Sequence, residues 1–202
     1  MNIFRLAFAL LMLISGGCSV VVIDEPVGDQ LTPEQLQKFV GVWVNTKGDP
    51  SPVEFRAAND GRLITGNLKW DEEQQKFEVE TQVLLPRRLA SQTWLYFPDS
   101  KLENRHLFVR VELQEDQRMV IYLPEPDGFR AAVESGTLPG RVEVTDEEKK
   151  HFTVHIQGQS KATREFLASP DWRKYYTKEP LVLNRLKAAA EPADAAEESS
   201  AP

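Results

Sequence analysis

The sequence predicts a mostly β domain: an antiparallel meander of about nine or ten strands closing as a barrel, with short helices at its N-terminus, in mid-chain and before its last strand. Three observations carry that expectation. From Val40 to Gln157 almost every apolar run is short and alternates with polar residues, the period of a half-buried strand. Turn formers such as Asn59-Asp60-Gly61 separate these runs. A meander of many short strands leaves two free edges, and joining them into a barrel removes both, with a two-sheet sandwich as the alternative.

The elements follow in order. Thr32-Pro33-Glu34-Gln35 is a capping box: a threonine oxygen for a free backbone N–H, proline at the first helical position, and a glutamine that reaches back. A short helix to about Phe39 follows from it, with Leu31 and Leu36 at the staple positions. Strands are expected at Val40 to Val44, Pro52 to Arg56, Leu63 to Trp70 and Lys76 to Leu84. In the last of these Phe77, Val79, Thr81 and Val83 read as the dry face, with Glu78, Glu80 and Gln82 opposite. Gln92 to Phe97 is aromatic on one side and apolar on the other, so both its faces are expected to be buried. Arg105 to Gln114 turns Leu107, Val109, Val111 and Leu113 inward and pairs with Met119 to Leu123 as a hairpin. A helix over Asp127 to Gly136 interrupts the series, and strands near Arg141 to Val144 and His151 to Gln157 follow. Ser160 to Ala168 is a further helix, Ser169-Pro170-Asp171 opens a short turn carrying Trp172, Tyr175 and Tyr176, and Pro180 to Leu186 is the last strand.

Near its start the chain carries Arg5, an unbroken apolar run from Leu6 to Ile14, and then Ser15, Gly16 and Gly17 before the only cysteine, Cys18. Residues 1–17 read as an export signal, too short in its apolar part to span a bilayer as a helix, which takes about twenty residues. The run Ile14-Ser15-Gly16-Gly17-Cys18 resembles the lipobox of bacterial lipoproteins. That resemblance implies cleavage before Cys18, a diacylglycerol on its sulfur, palmitate-type acyl chains as membrane anchor, and Cys18 as the first mature residue. Ser19 then stands where an aspartate would resemble an inner-membrane retention mark. The implied address is the bacterial outer membrane, facing the periplasm. Residues 18–30 read as a lipidated tether, 31–186 as the barrel-like domain, and 187–202, rich in Ala, Glu, Ser and Pro, as a disordered tail.

The full chain carries 24 basic and 31 acidic side chains, a net charge of −7, and loss of Arg5 makes it one unit more acidic. That sign excludes nucleic acid as partner and a basic face as the means of membrane attachment, which leaves the acyl chains. A lone cysteine forms no internal disulfide, so packing alone must stabilise the domain.

Gly41-Val42-Trp43, just after a short helix, resembles the Gly-x-Trp of the first strand in the lipocalin and calycin families. In those families the tryptophan plugs the closed end of the barrel and a late basic residue lies across it, a position that Arg185 matches. The resemblance implies barrel closure through Gly41, Trp43 and Arg185, and a carrier for a lipid or other apolar small molecule. Trp70, Trp94, Tyr96, His106, Phe108 and Arg110 are the candidate ligand-binding residues. The alternative is a periplasm-facing module or assembly factor that meets another envelope protein and has a filled, ligand-free core. No catalytic motif, cofactor site or metal site is expected. His151 and His155 sit in a strand, roughly 13 Å apart at about 3.3 Å per residue, too far to share an ion.

Overall fold

The computed structural model describes residues 19–45, 52–71, 74–99, 105–115 and 117–186. The signal segment, Cys18 and residues 187–202 lie outside them. Twelve strands occur among the described residues: β1 (Val20–Ile23), β2 (Asp29–Gln30), β3 (Gly41–Asn45), β4 (Pro52–Ala57), β5 (Leu63–Asp71), β6 (Lys76–Leu89), β7 (Gln92–Asp99), β8 (Arg105–Leu113), β9 (Arg118–Tyr122), β10 (Gly140–Asp146), β11 (His151–Ile156) and β12 (Leu181–Arg185). Three short α-helices accompany them: α1 (Pro33–Gln37), α2 (Pro126–Glu134) and α3 (Lys161–Ala168). A 3-10 turn covers Pro170–Tyr175.

β3 to β9 pair in sequence order, β9 pairs with β12, and β12 pairs back with β3. The result is a closed, eight-stranded antiparallel barrel. Alternation along each strand sorts the side chains as a pleat requires. Trp43, Phe55, Leu63, Leu84, Leu95, Phe97, Val109, Val111, Met119, Ile121 and Leu183 point inward and form one buried cluster with Leu31, Leu36 and Phe39 of the α1 segment. The capping box forms as read: Thr32 accepts from the Gln35 backbone N–H, and Gln35 accepts from the Thr32 N–H at 2.9 Å. α1 thereby lies across one end of the barrel.

The chain is not a plain meander. After β9 it leaves the barrel, builds α2, β10, β11, α3 and the 3-10 turn, and returns as β12 to close the ring. The excursion covers the outer face of β7, β8 and β9. Trp94, Tyr96, Phe108 and Tyr122 on that face pack with Phe129 and Ala132 of α2, Phe166 and Leu167 of α3, Trp172, Tyr176 and the inner residues of β11. A second apolar core therefore lies outside the barrel wall.

Two expectations are corrected. Residues 19–30 are not a tether: Val20 to Ile23 pair in parallel with Thr153 to Ile156, and Val22 and Ile23 are fully buried. The four-residue run Val20-Val21-Val22-Ile23 is short and uniformly apolar, the form of a strand buried on both faces. Further on, the Tyr96 hydroxyl donates to the Val27 carbonyl at 3.1 Å, and Gly28 has φ +108° with the Arg88 carbonyl so close that a Cβ would collide with it. The second correction concerns β6. Its inward residues are those in register with Leu63, Thr65 and Asn67, namely Leu84, Gln82 and Glu80. Val79, on the supposed dry face, is 65% exposed.

Candidate functional site: the barrel and the apolar crevice beside it

The closed end is built by three residues. Trp43 is in register with Arg185 across the β3–β12 seam, and the guanidinium carbon lies 4.6 Å from the centre of the indole. Gly41 takes φ +131°, a backbone conformation that side-chain-bearing residues rarely adopt, and the Arg185 side chain passes over it within van der Waals reach of where a Cβ would stand, 3.7 Å from Nε. The indole N–H donates to the Phe39 carbonyl at 2.7 Å, and Arg185 donates to the Lys38 carbonyl. Two backbone acceptors that the end of α1 leaves open are thus satisfied from inside the barrel.

Moving along β3, β5 and β6 away from α1, the inward positions turn polar, while Phe97 and Leu107 of β7 and β8 keep that side of the interior apolar. Asn45 and Thr65 are buried, and Asn67 and Gln82 partly so. Thr65 donates from its hydroxyl to the Gln82 carbonyl at 3.3 Å. The Asn67 side-chain oxygen is shielded from solvent and has no hydrogen-bond partner among the described residues. A buried acceptor without a donor is costly and invites a water or ligand to supply one.

The expected ligand-binding set does not line this interior. Trp94, Tyr96, His106, Phe108 and Arg110 occupy the alternate positions of β7 and β8, which point out of the barrel. Both faces of β7 are buried, as expected, and both faces of β8 as well; what alternation did not tell is that the face carrying these residues is the outer one. Trp70 lies on β5 opposite Phe77, and its side chain is outside the described part. Arg110 is buried, with its guanidinium 3.3 Å from the centre of the Trp172 ring and an ion pair to Glu112 at 3.1 Å. Tyr122 donates to the same carboxylate at 3.3 Å. Burial lowers the Arg110 pKa and raises that of Tyr176 well above its usual value. His106 is held below the usual histidine pKa, chiefly by burial. The site thus resembles a latch between barrel and excursion more than a pocket.

His155 meets Arg105 through Nδ1 and Glu143 through Nε2 at 3.0 Å, beside an open cleft of about 220 Å³ that also touches Asp24 and Arg141. Arg87 and Arg88 stand opposite Gln30 and Asp29 of β2. Among the described residues, no group of three His, Cys, Asp or Glu side chains comes together as a metal site.

Sequence reasoning missed one apolar feature. β8 pairs with β1 at His106 and with β9 only from Arg110 onward. Where β1 and β9 diverge, a crevice of about 170 Å³ opens, lined mostly by apolar residues including Val20, Leu107, Leu123 and Pro124, and reaching Ser19. Its only signal in the sequence was the apolar run after Cys18. Compared with known proteins, the chain matches no protein-family model, no curated protein and no solved structure.

Proposed function

We propose that this is a lipid-anchored bacterial envelope protein whose barrel binds a lipid or other apolar small molecule bearing a hydrogen-bond donor. The observation that carries the reading is the gradient inside the barrel. One end is dry and closed by Trp43, Arg185 and α1, and farther along sits the unpartnered, buried Asn67 oxygen. An apolar interior with few placed polar groups is the usual make-up of a small-molecule site. The likeness of Gly41, Trp43 and Arg185 to the lipocalin pattern supports the same reading, as does the lipobox-like run before Cys18 for the anchor and the outer-membrane address.

Titration of the full chain with a fluorescent polyene fatty alcohol, whose hydroxyl can donate to the Asn67 oxygen, tests it. The expected result is saturable one-to-one binding, weakened by Asn67→Leu. Absence of saturable binding by the folded protein overturns it in favour of the second reading, a module that meets another envelope protein. That reading is favoured by Val79 and Val144, which leave 65% and 60% of their surface exposed on sheet faces.

A further inference from the structure

We propose that the crevice between β1 and β9 receives one of the acyl chains carried by Cys18, so that the domain sits directly against the membrane with no spacer. The inference rests on the reading that Cys18 is lipidated, and adds where the lipid goes.

Ser19 lines the crevice, and Cys18 precedes it by one peptide unit, about 3.8 Å between Cα atoms. Ser19 is held there: its hydroxyl accepts the Phe152 backbone N–H at 3.2 Å. Val20 then enters the sheet beside Thr153. A chain attached at Cys18 thus starts within one residue of a side chain that lines the crevice. Most of the lining suits an acyl chain: Val20, Val21, Leu107, Leu123 and Pro124 present hydrocarbon, and the polar side chains are those of Ser19, half-buried Glu125 and Thr177, whose hydroxyl is shielded without a partner among the described residues.

Size limits the guest. An apolar cavity of about 150 Å³ takes a benzene-sized molecule, so 170 Å³ holds a segment of about six carbons. The first part of one chain fits, and its remainder together with the other chains stays in the bilayer. An empty apolar crevice has no partner atoms for its lining, whereas a filled one regains those contacts. The opening exists because β8 changes partner from β1 to β9 along its length, a topological gap that no side chain of the described residues fills.

The test uses full-length lipidated protein purified from membranes after growth with photo-leucine, a diazirine analogue of leucine. Intact mass first reports whether Cys18 is acylated. Irradiation and proteolysis are expected to join the peptide containing Leu107 or Leu123 to the acylated Cys18 peptide. Cross-links at those leucines to phospholipid alone, or none there in an acylated protein, overturn the crevice assignment and leave lipidation standing. A mass without acyl chains overturns both. As an independent measure on unlabelled protein, Cys18→Ser, which removes every chain, should speed amide exchange at Leu107 to Val109 relative to the acylated protein, and an unchanged rate contradicts the proposal.

Discussion

At the scale of single residues, Arg185 does two things at once: it stacks on Trp43 and donates to the carbonyl of Lys38. Arg185→Ala removes both, and the expected loss is about 1 to 3 kcal/mol by denaturant unfolding. A change within about 0.5 kcal/mol, as for an ordinary surface substitution, contradicts the structural role. Arg185→Lys should recover only part, because an ammonium does not lie flat on an indole. His106 offers a pH-dependent test. Burial lowers its pKa from the usual 6.5, so the unfolded chain binds the proton more tightly than the folded one. Stability is therefore expected to fall as pH drops below 6.5, down to the depressed folded value. Substituting His106→Gln should flatten that part of the stability profile relative to wild type, and identical slopes for the two proteins would argue against it.

Among the elements, β1 and α2 are the decisive ones. Val22 is fully buried at the centre of β1 between β8 and β11. An unpaired carboxylate there has no compensation, so Val22→Asp should cost more than about 3 kcal/mol. Were residues 19–30 a tether, the same substitution would leave the melting temperature unchanged. α2 is anchored by Phe129, whose ring lies 5.7 to 5.9 Å from those of Phe108, Phe166, Tyr175 and Tyr176. Phe129→Ala is expected to cost about 3 to 5 kcal/mol. The rings it leaves exposed belong to the barrel wall and to the excursion alike, so near-ultraviolet circular dichroism should report the loss across the Trp94 and Trp172 environments. A variant that melts like wild type would show the excursion to be only loosely applied.

For the whole molecule, the seam between β3 and β12 closes the ring, and the strand that seals it follows, along the chain, the excursion of residues 123–180 that lies over the outer wall. Thr177 N–H donates to the Leu123 carbonyl at 2.9 Å and Glu125 N–H to Tyr175 at 2.8 Å, tying the two ends of the excursion together where it leaves and rejoins the barrel. Barrel and outer core are thus expected to unfold in one transition, with tryptophan fluorescence and far-ultraviolet circular dichroism coinciding. Separate midpoints would mean that the excursion is an independent unit. Cys18→Ser should move the protein out of the membrane fraction, and unchanged association with no acyl mass on the wild type would remove the anchor reading.

The sequence by itself determined much of the local structure. The period of two in β8 and β9, the capping box at Thr32 and the glycine turn at Gly61 are short-range rules, and each element formed within a residue or two of its reading. The resemblance of Gly41-Val42-Trp43 and Arg185 to the lipocalin pattern also pointed to which ends of the ring meet, and the Arg185 guanidinium does lie on the Trp43 ring across that seam. Alternation, however, says only that two faces differ; it does not say which is the inside of a closed surface. Only the tertiary structure decided that Trp94, Tyr96, Phe108 and Arg110 face an outer core, since that depends on a segment tens of residues downstream folding back over the wall. The same holds for Val20 to Ile23. A uniformly apolar tetrapeptide carries no period, and its burial is settled by the distant partners β8 and β11 that enclose it.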